Sequence, residues 1–145
     1  MKTFDIEKSI GFLVAKVYQR GLALFKEEFD RFDLTPQQFS LLAFLWKEDR
    51  LSQAELSART QIDRTTIGGL VDRLEKDGLL TRISDPTDRR AYQICLTSRG
   101  KELEETLSPV AAAVHGRLVS CLAAEELDTL FALLQKIREN AGTHP

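Results

Sequence analysis

The chain has 145 residues, 43% hydrophobic and 29% charged, with a net charge of -2, eight glycines, four prolines and two cysteines. These figures fit one compact domain with a sizeable core, they exclude a disulfide framework and a low-complexity polymer, and they argue against a protein that coats nucleic acid through bulk positive charge. No run approaches the ~20 apolar residues that span a bilayer, and the start Met1-Lys2-Thr3-Phe4-Asp5-Ile6-Glu7-Lys8 lacks a signal-peptide core, so a cytoplasmic protein without a membrane partner is expected.

In the first helical segment, Ile6, Ile10, Leu13, Val14, Val17, Tyr18, Leu22, Phe25 and Phe29 cover more than one narrow stripe. Such a helix needs two buried faces, one on its own domain and one on a partner. Leu34-Thr35-Pro36-Gln37-Gln38 then supplies a capping threonine, proline at the first helical position and glutamine at the capping-box position, before the core stripe Phe39, Leu42, Leu45 and Trp46.

A third helix is predicted to open at the capping box Ser52-Gln53-Ala54-Glu55 and to close at the polar turn Thr60-Gln61. A fourth follows at once, over residues 63–77, with Asp63 as N-cap, Ile67, Leu70, Val71 and Leu74 at helical spacing, and Gly78 suited to a left-handed C-terminal cap. Its other face presents Arg64, Thr65, Gly68, Gly69, Asp72 and Arg73, a polar stripe able to enter a groove of DNA. Arg64 suits paired hydrogen bonds to guanine or a phosphate contact, and Thr65 and Thr66 suit phosphate or a thymine methyl. Two glycines inside a helix each cost roughly 0.5–1 kcal/mol relative to alanine, so Gly68-Gly69 implies close backbone approach, either to DNA or to a neighbouring helix.

Two alternating segments come next, 79–84 and 91–97, flanking Asp85-Pro86-Thr87-Asp88-Arg89-Arg90. They read as the half-buried strands of a hairpin with a projecting, charged tip. An arginine there suits a narrow minor groove, with Asp85 and Asp88 orienting Arg89 and Arg90 through ion pairs. Residues 59–90 are the net-positive part of the chain, with seven basic against six acidic side chains. Near the carboxyl end, Leu103, Leu107, Val110, Val114, Leu118 and Leu122 form one periodic run, and Leu127, Leu130, Phe131, Leu134 and Ile137 form another. Residues 141–145 read as a frayed tail.

Helix, turn, helix and hairpin in this order make a DNA-reading device. The chain resembles the MarR family of winged-helix transcriptional regulators, through Leu34-Thr35-Pro36-Gln37-Gln38-Phe39, Leu51-Ser52-Gln53-Ala54-Glu55-Leu56, Asp63-Arg64-Thr65-Thr66-Ile67, Leu70 to Leu79, Asp85-Pro86-Thr87-Asp88-Arg89-Arg90-Ala91 and Leu96-Thr97-Ser98-Arg99-Gly100. The resemblance implies a mostly α fold with a small β-hairpin wing: a winged helix-turn-helix lobe at about 33–97, and helices at about 1–32 and 99–140 forming a homodimerisation region. It further implies a recognition helix in the major groove and a wing in the minor groove. Many relatives carry arginine where this chain has Thr87, which places the minor-groove contact on Arg89 or Arg90.

A twofold dimer sets two recognition helices about 34 Å apart, so the expected target is a palindrome in double-stranded DNA. The expected DNA-binding set is Ser52, Gln53, Arg64, Thr65, Thr66, Gly68, Gly69, Arg73, Arg89 and Arg90. Family resemblance also implies a small aromatic or lipophilic effector that relieves repression, for which Tyr18, Arg20, Phe39 and Trp46 are pocket candidates, although core packing accounts for the aromatics. Neither Cys95 nor Cys121 has metal-site spacing, and both read as buried, inert thiols, a cysteine-based redox sensor being the alternative. His115 and His144 are too few for a histidine metal cluster, and Gly68-Gly69 runs into Leu70-Val71 with no phosphate-loop lysine, so neither enzyme chemistry nor a cofactor is expected. The competing function is a winged helix that binds protein.

Overall fold

The computed structural model describes residues 3–88, 90–140 and 142. A short 3-10 turn at Ile6–Lys8 leads into α1 (Ile10–Phe29), and a second at Asp30–Phe32 leads into α2 (Pro36–Lys47). There follow β1 (Leu51–Ser52), α3 (Gln53–Thr60), α4 (Arg64–Lys76), β2 (Leu80–Ser84), β3 (Tyr92–Leu96), α5 (Ser98–Leu118) and α6 (Ala124–Arg138). Apart from Gly142, the expected tail lies outside the described residues, as does Arg89.

The chain divides into two compact units, residues 25–111 and residues 1–24 with 112–145. The divide falls inside α1 and α5, not at their ends near residues 32 and 99. Packing within the larger unit explains this. Phe29 at the end of α1 is fully buried, stacked on Phe25 with ring centroids 4.0 Å apart and tilted against Phe39 at 4.9 Å. Leu103 packs against the lobe's core and Leu107 is fully buried. These two leucines of α5 therefore serve the lobe, which corrects their placement in a dimerising run. Helical periodicity shows that a face is apolar but not which neighbour covers it.

Local chemistry sets the lobe's helices. Thr35 and Gln38 form the full capping box of α2: Gln38 N–H donates to Thr35 Oγ1 at 3.2 Å and Thr35 N–H to Gln38 Oε1 at 3.0 Å. At α3 only half of the predicted box forms, the 3.0 Å bond from Glu55 N–H to Ser52 Oγ. Ser52 also lies in β1, opposite Gln93.

β1 is a strand that the sequence reading missed. It turns the two-stranded ribbon into a three-stranded antiparallel sheet of order β1-β3-β2, with Leu51 opposite Ile94 and Arg82 opposite Ile94 from the other side. Beneath it, Leu41, Leu42, Leu45, Leu56, Ile67, Val71 and Leu74 meet Leu51, Leu80 and Ile94 in one core. Each such side chain contributes about 1.5–3 kcal/mol of burial.

The start of α5 is fixed to this core. Trp46 Nε1–H donates to the Gly100 carbonyl at 2.8 Å, and a Cβ on Gly100 would sit 2.2 Å from the Leu79 carbonyl oxygen. No side chain fits there. Phe39 lies 5.8 Å from Trp46, so both belong to the aromatic packing of the lobe, whereas Tyr18 is exposed, which corrects its expected place in the core.

In the smaller unit, Gly21 approaches Leu118, and the Glu126 carboxylate caps α6 by accepting from Ala123 N–H. Ile10, Leu13, Val14 and Val17 on α1 and Leu130, Phe131, Leu133, Leu134 and Ile137 on α6 stay exposed in the single chain, Phe131 at 65% and Ile137 at 60%. A monomer gains nothing from apolar surface on that scale.

Candidate nucleic-acid interface

The turn between α3 and α4 is bolted from within. Gln61 takes a left-handed conformation with φ of 58°, Ser57 Oγ donates to the Ile62 carbonyl, and Thr60 Oγ1 donates to the Leu56 carbonyl at 2.7 Å. Asp63 then caps α4, its Oδ1 accepting from Thr66 N–H and its Oδ2 from the Thr66 hydroxyl, both at 2.8 Å. The backbone bond first, and the hydroxyl bond second, hold the Asp63 carboxyl below the usual carboxylate range. The N-cap is therefore ionised at neutral pH and fixes where α4 begins.

Ile67, Val71 and Leu74 are fully buried, so Arg64, Thr65, Gly69, Asp72 and Arg73 lie on the exposed side of α4. Thr65, Gly69 and Arg73 recur at i, i+4 and i+8 and share one line along the helix. Arg64 has no side-chain bond or ion pair among the described residues. Arg73 is paired loosely with Asp77 at 3.4 Å, an exposed contact that a phosphate can displace.

The two glycines separate. A Cβ on Gly68 would stand 3.0 Å from Gln53 Nε2, so its smallness serves packing between α3 and α4. A Cβ on Gly69 would meet nothing within 4 Å. Packing within the chain therefore explains Gly68 and leaves Gly69 facing open space.

Other members of the expected set are occupied inside the lobe. Ser52 Oγ caps α3, Gln53 Nε2 donates to the Arg64 carbonyl at 3.0 Å, and the Thr66 hydroxyl is held by Asp63. These residues hold α3 and α4 together, and each keeps an unused lone pair or proton for a further contact.

At the wing, Asp85 Oδ1 accepts from Thr87 Oγ1 at 2.7 Å and from Thr87 N–H at 2.8 Å, which together lower its pKa, the hydroxyl contributing most. Asp88 Oδ1 accepts from the Arg90 backbone N–H at 2.9 Å. Among the described residues neither aspartate forms an ion pair with an arginine side chain. Both aspartates fold the turn through local bonds, as aspartates in turns commonly do, and neither pairs with the Arg90 side chain; the expected pairing with Arg89 lies outside the described residues. Arg90 is exposed on this turn.

Sequence reasoning missed Arg82. Its guanidinium, from the middle of β2, reaches Asp72 Oδ1 at 2.7 Å, Glu75 Oε1 at 3.0 Å and the Gly68 carbonyl at 3.3 Å. An arginine on an alternating strand gives one usable signal, a charge at a position that the pattern turns inward.

Cys95 is buried, and burial, with Asp49 second, pushes its thiol up, away from the reactive thiolate. Cys121 is exposed in the turn after α5, correcting its expected burial in a helix. A cleft of about 520 Å³ in the larger unit has Arg31, Asp33, Asp77 and Arg99 around Leu34, Leu79, Leu103 and Leu107. No group of three His, Cys, Asp or Glu side chains among the described residues could hold a metal.

Comparison with known proteins gives a consistent result. The MarR family model matches residues 32–91. The HTH-type transcriptional repressor NicR of Pseudomonas putida is 35% identical over 142 residues, covering 96% of this chain and 90% of its own. Bordetella bronchiseptica BpsR, whose DNA binding is regulated by 6-hydroxynicotinic acid, has a TM-score of 0.90 at 29% identity, covering 95% of this chain and 99% of that one. A cysteine-to-serine mutant of Escherichia coli MarR complexed with operator DNA has a TM-score of 0.85 at 28% identity, with coverage of 94% and 99%.

Proposed function

This chain belongs to the MarR family of transcriptional regulators, and from that premise we propose that α4 reads the major groove of a palindromic operator while the 85–91 turn reaches the adjacent minor groove. The regulator is a sequence-specific binder of double-stranded DNA. One observation carries the assignment of the site: a helix capped by Asp63 exposes Arg64, Thr65, Gly69 and Arg73 in the same compact unit as a projecting wing. Arg64 and Thr65 contact bases or phosphate, Arg73 grips the backbone, and Arg90, with Arg89, serves the minor groove. The protein works by binding and not by catalysis, in the cytoplasm; no helix among the described residues is long and apolar enough to cross a membrane.

Gly69 offers a direct check on close approach. Gly69→Ala removes a helix-interior glycine with open space around it, so it stabilises the fold by roughly 0.5–1 kcal/mol while weakening operator binding. Thermal unfolding and DNA titration of the same sample report the two effects. Binding equal to that of the native protein would remove Gly69 from the interface.

Dimerisation uses the apolar faces of α1 and α6. Replacing Phe131 and Ile137 together with glutamate is expected to yield monomers, read by sedimentation equilibrium, with the winged lobe still folded. A stable dimer in that variant would move the interface elsewhere.

The action is repression relieved by a small aromatic acid. Support comes from the repressor NicR and from BpsR, a structural relative regulated by 6-hydroxynicotinic acid. The ligand favours a spacing of the two recognition helices unsuited to the operator and so shifts the population away from DNA. Titrating 6-hydroxynicotinic acid into the protein–operator complex, followed by fluorescence anisotropy, is expected to release the DNA. Unchanged anisotropy at saturating acid would exclude this effector.

A further inference from the structure

Arg82 is the least exposed arginine in an ion pair among the described residues, its side chain 24% exposed against 38% for Arg59 and 58% for Arg73. Its three acceptors on α4, Gly68, Asp72 and Glu75, stand at i, i+4 and i+7, one stripe spanning two turns of the helix. Glu75 is held twice: Oε1 accepts from the Arg82 guanidinium at 3.0 Å and Oε2 from the Arg82 backbone N–H at 3.1 Å. A single exposed pair would contribute little. A planar fork shared among two carboxylates and a carbonyl, and anchored by a strand N–H, fixes orientation as well as distance.

We propose that Arg82 is a positioning residue, which sets the angle and register of α4 against the wing so that both engage one half-site together, without itself touching DNA. The inference rests on the DNA-reading role assigned above to α4 and the wing. Loss of the fork leaves each element folded but lets the helix rotate and slide relative to β2. Contacts that need both elements in register weaken, and contacts to phosphate at large do not.

The test uses the full-length dimer, a duplex selected by the native protein from random sequence, and a scrambled duplex of the same composition. Affinities at several salt concentrations are compared for the native protein, for Arg82→Ala, and for a variant that keeps Arg82 but carries Asp72→Asn and Glu75→Gln. In both variants the ratio of selected to scrambled affinity is expected to fall about tenfold, since breaking a coupled network is felt by all its members. Arg82→Ala should leave scrambled binding and its salt dependence unchanged. Combining all three substitutions should restore nothing.

Four results would overturn the inference. An Arg82→Ala ratio within about twofold of native would show that register does not depend on the fork. Equal losses on both duplexes, with a salt slope shallower by about 0.9 per contact, would make Arg82 a phosphate ligand. Recovery in the triple variant would reduce its role to masking acidic charge. A native protein that does not prefer its selected duplex would remove the DNA-reading premise, and the inference with it, before any variant is compared. Should Arg82→Ala fail to fold, the variant that keeps Arg82 decides the matter alone.

Discussion

Replacing Arg64 with alanine is expected to weaken operator binding by roughly 1–3 kcal/mol in each half-site and to relax base preference at one position there. The expectation follows from its place in the first turn of α4, where recognition helices reach base edges, and from its side chain having no partner among the described residues. Nothing has to be broken before it binds. Arg64→Lys separates its two modes: a phosphate contact survives lysine, whereas a paired guanine contact needs the planar fork and is lost. Selection from random sequence with each variant reads both outcomes, and a base profile identical to the native one in Arg64→Ala would remove the residue from direct readout.

Phe29→Ala is expected to destabilise the fold by about 3–5 kcal/mol, the largest single effect on stability among the changes considered. The side chain is fully buried, stacked nearly parallel on Phe25 and tilted against Phe39, with Phe32 at 6.0 Å. Truncation removes the ring's burial and leaves the other aromatic rings without a partner that backbone movement can replace. Because this cluster lies in the same compact unit as the reading helix, operator binding falls with stability as temperature rises. Urea unfolding measures the change, and a loss under about 1 kcal/mol would mean that the neighbouring rings collapse into the gap.

What the sequence made legible were features whose physics is local. The α4 boundaries follow from a side-chain cap at Asp63, apolar spacing, and a glycine able to take the φ of 78° that Gly78 adopts. The same holds for α2, whose capping box is written in Thr35 and Gln38. β1 was not legible, because two residues carry no alternation and Leu51–Ser52 becomes a strand only by pairing with Ile94 and Gln93 far along the chain. Arg82 was missed for the same reason: its partners lie on α4, and the fork exists only once β2 has folded back alongside that helix.

The glycine pair shows the limit within the site itself. Sequence gives two adjacent glycines one meaning, while the fold gives Gly68 to Gln53 and leaves Gly69 open. At the wing, charge complementarity suggested ion pairs between aspartate and arginine. Asp85 and Asp88 bond to groups two residues away and not to the Arg90 side chain, since a backbone N–H within reach of a short side chain costs little entropy to engage.

The central claim is that the exposed face of α4 and the wing together read a twofold-symmetric site. Selection of random-sequence duplexes by the native dimer, repeated at several salt concentrations, tests it most directly. Enrichment of one inverted repeat, with half-sites about 10 base pairs apart and affinity falling as salt rises, is the predicted result. Equal recovery of all sequences at every salt concentration would contradict the claim.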